Sequence, residues 1–286
     1  MINALTFDVE EYFHAEVFAS VVKPEEWPLL ESRVVRSTER LLDVLAESRT
    51  KATFFVLGWV AARHPQLVRA IHGRDHEVAC HGFDHRMITR QSPTQFAEDV
   101  RRAKKTLEDA IGAPVIGYRA PTFSVVRETL WSLEVLAESG FRYDSSIFPI
   151  VHDRYGIPDA RRFPHRLTVA PGTEITEFPL STVSRLGWRI PVAGGGYFRL
   201  FPYRFTRWAI RSLNRREGQP AMVYLHPWEI DAEQPRLPIG RLARVRHSVN
   251  TRTVIDRLRR LVRDFSFGPA RDVLNGSGAL VAGGVA

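Results

Sequence analysis

The sequence predicts an α/β fold in which parallel strands alternate with helices, as in an α/β barrel. Along the first half of the chain, segments with the two-residue period of strands alternate with segments of helical period. Polar residues fall at the ends of predicted strands, where the loops of such folds carry their chemistry. The chain has 286 residues, 44% of them hydrophobic, which is enough for a full core.

The first predicted elements follow this alternation from the amino terminus. A strand is predicted there, and a helical pattern begins at Ser37. The β-rich run at 52–57 is the second predicted strand, and a short helix after Pro65 leads to a third strand over 77–81. The period therefore switches between helix and strand as strand–helix–strand units require.

The next elements continue the pattern with clear boundary signals. Ser92 opens a capping box with proline at the first helical position, and this predicts a helix that ends near Gly112. A strand over 115–119, an amphipathic helix over 127–139 and a strand over 141–144 follow. The order of elements is thus regular to this point.

The second half of the chain differs in composition and in the regularity of its predicted elements. Proline and glycine are more frequent around 154–200, where we predict an insertion, and the glycine-rich run at 194–198 lacks the lysine and hydroxyl residue of a phosphate loop. Beyond it we predict a basic helix over 203–216, a strand over 221–225 and an arginine-rich helix over 250–264.

Charge and cysteine content limit the class of protein. The net charge of +8 suits nucleic acid, an anionic membrane face or an anionic glycan, but its arginines are spread along the second half, so we expect no nucleic-acid partner. The single cysteine, Cys80, excludes an intramolecular disulfide and a multi-cysteine zinc cluster. Because neither a secretory signal nor a membrane-spanning apolar run is visible, we expect a cytoplasmic protein.

Two segments, 7–11 and 80–85, offer carboxylates and imidazoles at the ends of predicted strands. His81 and His85 are four positions apart, so one turn would aim both rings at one point. A carboxylate from the first strand would be a third ligand, and three ligands with an open position form a catalytic zinc site. The spacing of the two histidines alone is common and carries little weight.

Five short segments then occur in a recognisable order, at 6–10, 81–85, 119–122, 143–146 and 225–227. In order and spacing they resemble the five motifs of the polysaccharide deacetylase family, also called the NodB-homology family or carbohydrate esterase family 4. Each motif alone is weak, but five in the same order are a strong signal.

The resemblance also suggests a domain organisation. It covers the chain to about residue 230, so we expect 1–230 to form the catalytic barrel. The segments 191–199 and 226–230 are similar to the subgroup found with exopolysaccharide and PEP-CTERM (exosortase) loci. We expect 231–286 to be a basic carboxy-terminal extension packed on the barrel, with a frayed tail from about residue 275.

The family resemblance implies a distorted (β/α) barrel and metal-dependent removal of an acetyl group from a sugar. A divalent metal held by Glu10, His81 and His85 would polarise the amide carbonyl, with Asp8 as general base. The two imidazoles favour Zn²⁺, with Co²⁺, Mn²⁺ and Ni²⁺ as alternatives.

The resemblance implies further roles. His226 would protonate the leaving amine. Arg119 would keep Asp8 ionised and oriented, and Asp144 would orient His226 or tune its charge.

The loop after Arg119, with Pro121 and Thr122, would supply a backbone N–H for the oxyanion. Trp228, two residues after the predicted acid, is expected to line a glycan groove.

The first motif departs from the family pattern. Two adjacent aspartates are usual there, whereas here Asp8 is followed by Val9, Glu10 and Glu11. Successive strand residues face opposite sides, so Asp8 and Glu10 share a face, which favours Glu10 as the ligand. Glu11 remains the alternative.

The other histidines have no partner at ligand spacing, and we expect them to be surface or structural residues. They are His14, His64, His72, His76, His152, His165 and His247. Cys80 is expected to face the barrel wall as a small buried hydrophobe.

The leading hypothesis is therefore an N-deacetylase acting on N-acetylhexosamine units of an exopolysaccharide or its lipid-linked precursor. A hydrolase of another small amide or ureide and a non-catalytic glycan-binding subunit are the alternatives. The basic carboxy-terminal helices suggest a peripheral contact with an anionic membrane surface or with biosynthetic partner enzymes.

Overall fold

The computed structural model describes residues 1–185, 187–192 and 194–281. Within these residues, a nine-stranded sheet forms the centre of the fold, and a two-stranded sheet lies beside it. The strands are β1 (Asn3–Val9), β2 (Thr53–Val56), β3 (Glu77–Cys80), β4 (Gly117–Tyr118), β5 (Tyr143–Asp144), β6 (His165–Ala170), β7 (Thr173–Glu177), β8 (Thr182–Arg185), β9 (Trp188–Pro191), β10 (Met222–Leu225) and β11 (Phe267–Gly268).

Helices cover the connections between these strands. The α-helices of the described chain are α1 (Val34–Glu47), α2 (Gly58–Arg63), α3 (Pro65–Gly73), α4 (Pro93–Ile111), α5 (Ser132–Glu138), α6 (Gly195–Leu200), α7 (Tyr203–Arg216), α8 (Arg241–Ser248), α9 (Val254–Asp264) and α10 (Ala270–Gly276). Short 3₁₀ helices lie at Tyr12–His14, Glu16–Phe18, Pro24–Leu29, Ile88–Arg90, Pro121–Phe123, Arg127–Thr129, Pro227–Ile230 and Thr251–Thr253.

The main sheet has the order β10-β1-β2-β3-β4-β5-β7-β6, and β11 also pairs with β1. Within the described residues, its strand pairs are parallel except for β6 with β7, which is antiparallel. Phe7 of β1 lies opposite Leu225 of β10 on one side and Phe54 of β2 on the other. The carboxyl ends of β1, β2, β3 and β10 therefore meet at one edge, and the predicted α/β class with parallel strands is confirmed.

Apolar side chains between the sheet and its helices form the core. Phe7 and Phe54 are fully buried, and their rings stack with centroids 5.0 Å apart. Leu41 and Leu45 of α1 belong to the same buried cluster. Burial of such side chains is the main stabilising contribution, at roughly 25 cal/mol per Å² of apolar surface.

Helix α4 begins and ends where the sequence predicts. The Ser92 hydroxyl accepts a hydrogen bond from the Gln95 amide at 3.3 Å, and the Ser92 amide donates to the Gln95 side chain at 3.0 Å. Gly112 follows the helix in the left-handed conformation, with φ of 67°. Glycine adopts this conformation at little cost, so it ends the helix cleanly.

The segment around 154–200 contributes to the main sheet. β7 lies parallel to β5, with Thr176 opposite Tyr143, and β8 and β9 form the small sheet. Gly194, with φ of 140°, bridges to Tyr224 of β10. A Cβ atom on Gly194 would lie 1.8 Å from the Tyr224 carbonyl oxygen, so only glycine fits where the chain crosses this strand.

The end of the described chain differs from the predicted frayed tail. Leu280 and Val281 are buried, the Val281 amide donates to the Thr176 hydroxyl at 3.0 Å, and the Arg142 guanidinium donates to the Val281 carbonyl. These contacts hold 275–281 against β7, and the rest of the predicted tail lies outside the described residues. The predicted domain division at residue 230 stays a prediction, although β11, beyond that position, pairs with β1.

In the part of the chain that the structure describes, none of the helices combines the length and the apolar character needed to cross a membrane.

Candidate metal centre

Strand β1 delivers two carboxylates to the carboxyl edge of the sheet. Asp8 and Glu10 are both buried there. Glu11 faces elsewhere: its Oε2 accepts hydrogen bonds from the backbone amides of Arg33 at 2.9 Å and Val34 at 3.2 Å. Glu11 therefore satisfies amides at the start of α1, where a negative charge is stabilised.

The loop after β3 is shaped so that two imidazoles converge. Gly82 has φ of 73° and His85 has φ of 50°, both left-handed. Asp99 of α4 accepts hydrogen bonds from the amides of Phe83 at 2.9 Å and Asp84 at 3.3 Å, which fixes the turn. The ring centroids of His81 and His85 consequently lie 5.5 Å apart.

Glu10, His81 and His85 each offer one ligand atom, and these atoms lie within 4.8 Å of one another. Glu10 Oε2 is buried 2.6 Å from His85 Nε2, yet it has no aligned hydrogen-bond donor. A buried carboxylate oxygen without an aligned donor, beside two imidazoles, fits a shared cation. Two imidazoles and a carboxylate are a donor set that suits zinc.

His81 is held in the form that binds a metal. Its Nδ1 lies 2.8 Å from the Arg119 carbonyl oxygen. Because a carbonyl oxygen only accepts, Nδ1 carries the proton and Nε2 keeps its lone pair. Burial lowers the pKa of His81 to about 4, so the ring is neutral at neutral pH.

Glu10 is ionised and held in place. Burial raises the pKa of Glu10, but the surrounding histidines, His85 foremost, outweigh burial and lower it overall. The indole Nε1 of Trp228 donates to Glu10 Oε1 at 3.0 Å. Trp228 thus contacts a candidate ligand directly, and its role beside a glycan groove stays a prediction.

Asp8 forms a buried ion pair with Arg119. The Arg119 guanidinium, which is fully buried, donates to Asp8 Oδ1 at 2.7 Å and to the Thr6 hydroxyl at 2.8 Å. It also donates to Ser145, and its charged centre lies 4.1 Å from the ring centroid of Phe55. This network leaves Asp8 Oδ2 facing the centre of the site.

His226 completes the site from β10. Its Nε2 lies 3.8 Å from both Asp8 Oδ2 and Glu10 Oε1, while its Nδ1 lies 2.7 Å from Glu229 Oε1. Burial lowers the pKa of His226, but Glu229 and the other two carboxylates outweigh it and raise the pKa to about 9. The ring is therefore protonated at neutral pH.

The carboxylate that contacts His226 is Glu229 and not Asp144, the predicted partner. Asp144 accepts hydrogen bonds from the hydroxyl and amide of Ser146 at 2.5 and 3.1 Å, and burial raises its pKa. In the described contacts it does not reach His226, whose carboxylate partner is Glu229. The missed signal was the three-residue spacing from His226 to Glu229, which brings the two side chains together within one 3₁₀ turn.

Pro121 and Thr122 lie beside the metal loop. A Cβ on Gly82 would be 3.6 Å from the Pro121 ring, so the two loops touch. Thr122 adopts φ of 55° and ψ of 25°, a left-handed conformation that is uncommon outside glycine and clusters at functional sites. The oxyanion role of this loop stays a prediction.

Two further residues near the site were not predicted. The buried His14 ring stacks on His85 with centroids 5.9 Å apart, and its Nδ1 accepts from the Glu11 amide at 3.1 Å. Arg199 donates to Glu229 Oε2 at 2.7 Å and so anchors the carboxylate that holds His226. Neither had a sequence signal, because both contacts depend on tertiary packing.

Substituting Glu229 with glutamine should lower the pKa of His226 from about 9 toward its ordinary value of 6.5, because the nearest negative charge is removed. NMR titration of the histidine rings in chelator-treated protein measures this. Glu233→Gln, an exposed carboxylate paired with Arg36, is the matched control and should leave His226 unchanged. An unaltered pKa in Glu229→Gln would assign the effect to Asp8 and Glu10 instead.

Comparison with known proteins identifies the first half of the chain. Residues 4–143 match the family model for polysaccharide deacetylases, and residues 145–275 match a domain of unknown function, DUF3473. The chain is 31% identical over 102 residues to a chitooligosaccharide deacetylase of Bradyrhizobium sp. (strain ANU 289), covering 36% of this chain and 44% of that protein.

Other relatives agree with this match. A peptidoglycan-N-acetylglucosamine deacetylase of Listeria monocytogenes is 35% identical over 75 residues, which cover 26% of this chain and 16% of that protein. These matches span less than half the length of the two relatives.

The fold is shared with a solved structure. The crystal structure of a "putative polysaccharide deacetylase" from Mycobacterium smegmatis aligns with a TM-score of 0.63 at 22% identity, over 99% of this chain and 92% of that one. Residues 4–143, just under half of the chain, match the polysaccharide deacetylase family, so the chain contains a polysaccharide deacetylase domain of the NodB-homology, carbohydrate esterase family 4 type.

Proposed function

We propose that this protein is a metal-dependent N-deacetylase that removes acetyl groups from N-acetylhexosamine units of an exopolysaccharide or its precursor. The observation that carries the proposal is the position of the buried Asp8 carboxylate. It lies between the Arg119 guanidinium at 2.7 Å and the His226 ring at 3.8 Å, beside the three candidate ligands. A base and an acid on either side of one reaction centre are what hydrolysis of an amide requires.

The two proton transfers can be assigned to these residues. Asp8, held by the Arg119 guanidinium at 2.7 Å, accepts a proton from the attacking water as the new C–O bond forms. His226, protonated at neutral pH, donates its proton to the nitrogen as the C–N bond breaks. The products leave as acetate and the protonated amine, and the proton on Asp8 returns to His226, so the proton count balances.

Glu10, His81 and His85 would hold the metal, for which we propose zinc, with cobalt, manganese or nickel as alternatives. When bound, a divalent ion polarises the amide carbonyl and stabilises its developing negative charge. The backbone of Thr122 is the proposed second stabiliser of that charge.

The carbohydrate substrate is supported by the relatives. Their names specify deacetylation of chitooligosaccharide and of N-acetylglucosamine in peptidoglycan. The more specific assignment to an exopolysaccharide rests on the resemblance of 191–199 and 226–230 to that subgroup. In the structure, Gly194 of the first segment bridges to Tyr224 of β10, and the second segment directly follows that strand and contains His226.

Matched substitutions at two adjacent glutamates should identify the carboxylate ligand. We expect Glu10→Gln to weaken zinc binding more than about tenfold, since a charged ligand is lost. Glu11→Gln should leave zinc affinity unchanged and cost about 1 kcal/mol of unfolding free energy, because it caps the start of α1. Chelator competition measures the zinc affinity, and urea unfolding measures the stability. A loss of zinc affinity in Glu11→Gln but not in Glu10→Gln would assign the ligand to Glu11.

The function is tested by acetate release from N-acetylglucosamine oligomers, with metal content measured on the same samples. Asp8→Asn is expected to keep its metal and to lower the rate by about 10²–10⁴, the usual contribution of a general base. Asp43→Asn, an exposed aspartate of α1, is the matched control and should retain the wild-type rate.

The other outcomes favour the alternative functions. Bound metal with hydrolysis of a cyclic amide or ureide, but of no acetylated sugar, would favour a hydrolase of small C–N substrates. Glycan binding without metal and without hydrolysis would favour a non-catalytic subunit.

A further inference from the structure

A cavity of about 580 Å³ lies next to the metal centre, between the 3₁₀ turn at Glu16–Phe18 and the segment that contains α8. His247 lines this cavity, and its ring stacks on Trp228 with centroids 4.4 Å apart. Trp228 in turn stacks on His226 at 4.9 Å and donates to Glu10. A ladder of three stacked rings therefore joins the wall of the cavity to the reaction centre.

The cavity is lined by arginines and by no carboxylate. Arg236, Arg244 and Arg252 are exposed and line it, and none of its lining residues is aspartate or glutamate. Within the described chain, none of the three has a carboxylate within 4.0 Å. The one side-chain hydrogen bond found for them there runs from Arg244 to the Ile239 carbonyl at 3.2 Å. Concave sites lined by one sign of charge concentrate ligands of the opposite sign.

The acidic residues at the start of the cavity segment are already paired. Asp231 and Glu233 lie just before the cavity segment, but they pair with Arg33 at 2.9 Å and with Arg36 at 3.0 Å. These pairs direct the two carboxylates toward α1. The positive charge of the cavity is thus left without an internal counterion on this side.

The remaining lining of the cavity combines apolar surface with hydrogen-bonding groups, and a sugar ring presents both kinds of surface. Phe18, Leu237 and Val245 supply apolar surface, while Gln234 and Asn250 supply hydrogen-bonding groups. A volume of about 580 Å³ is in the range of pockets that bind small ligands, and it is concave where a membrane contact would be flat.

We propose that this cavity binds an acidic sugar unit of the glycan, through a carboxylate or phosphate substituent, next to the N-acetylated unit at the metal centre. The substrate class is then an anionic N-acetylated glycan, an assignment that rests on the proposed deacetylase function. Guanidinium groups recognise both anions by paired hydrogen bonds, and the apolar wall contacts the C–H face of the sugar ring.

The test compares anionic and neutral oligosaccharides. Calorimetry measures the binding of hyaluronan tetrasaccharide, which carries carboxylates, of an N-acetylglucosamine oligomer with a terminal phosphate, and of neutral chitotetraose. We expect at least one anionic ligand to bind on the order of tenfold more tightly than chitotetraose at low salt, with the difference shrinking at high salt. The better of the two ligands distinguishes a carboxylate from a phosphate.

Charge-matched variants locate the effect. In Arg236→Gln/Arg244→Gln/Arg252→Gln, the preference for the anionic ligand should be lost while chitotetraose binding is retained. The control, Arg211→Gln/Arg215→Gln/Arg216→Gln, removes the same charge from exposed positions of α7 and should keep the preference. Circular dichroism verifies that both variants are folded.

Three results would overturn the proposal. They are equal affinity for neutral and anionic ligands in the wild type, equal losses in both triple variants, and loss of chitotetraose binding together with the anionic ligand. Acetate release from all three oligosaccharides, measured on the same samples, separates the two levels of inference. Acetate release without anion preference rejects the cavity proposal alone, whereas anion binding without acetate release from any of the three rejects the deacetylase function and with it the substrate assignment.

Discussion

Replacing His81 with alanine is expected to abolish acetate release and to weaken metal binding by more than about a hundredfold. Loss of residues that merely orient ligands costs about 10–100-fold, and loss of a ligand should cost more. His81 is the ligand whose orientation is most constrained, because its Nδ1 is tied to the Arg119 carbonyl at 2.8 Å. Metal content after gel filtration, chelator competition and acetate release measure the two effects separately.

An exposed histidine supplies the control. His72→Ala removes an exposed imidazole of α3 that is not among the candidate ligands, and it should leave both metal content and rate unchanged. Full activity and full metal content in His81→Ala would refute the proposed metal centre. Reduced activity with the metal retained would instead make His81 a substrate-binding residue.

Replacing Arg119 with methionine is expected to lower the free energy of unfolding by about 3–5 kcal/mol, the usual cost of leaving a buried charge without its partner. Methionine keeps much of the side-chain length over Phe55, while Asp8 loses the hydrogen bond at 2.7 Å. Urea unfolding followed by circular dichroism measures the change.

Two further variants separate charge from packing. Arg119→Lys keeps the charge but loses the paired donors, so a smaller loss is expected. The double variant Asp8→Asn/Arg119→Met removes the stranded carboxylate and should regain part of the stability. If the double variant is no more stable than Arg119→Met, the loss arises from packing and from the bonds to Ser145 and not from the Asp8 charge.

Much of the fold could be predicted because its signals are local. The capping box at Ser92, the left-handed glycine at Gly112 and the periodicity of α1 and α7 depend only on neighbours in sequence. The helix predicted over 127–139 is instead a 3₁₀ turn followed by α5, since boundaries depend on packing as well. Local preference predicts that an element exists better than where it ends.

Contacts between distant segments could not be predicted in the same way. The tail at 275–281 looked too weakly apolar to be ordered, but Val281 bonds to Thr176 and Arg142. The region around 154–200 was predicted as an insertion, although β7 extends the main sheet beside β5. The order of the tail and the pairing of β7 both depend on an open edge of the sheet. The sequences of these two segments do not reveal that edge.

In the candidate site, too, the sequence predicted which residues gather but not which side chains contact each other. Motif order grouped Asp8, the three candidate ligands, Arg119 and His226, and the structure brings these residues together. The partner of His226 was misassigned to Asp144, because motif order says which residues are near the site but not which side chains touch. A three-residue spacing within one turn was the better guide to that contact.

The pairing of β1 with β10 means that the residues of the site are synthesised at very different times during translation. The three candidate ligands are all translated within the first 85 residues, whereas Trp228 follows Glu10 by 218 positions. At ribosomal speeds, this gap is roughly 10 to 40 s. During that interval the nascent polypeptide has every group needed to capture an ion, but it lacks the imidazole that releases the amine. Metal binding can therefore precede catalytic competence, which requires β10 to pair with β1 and so bring His226 to the site.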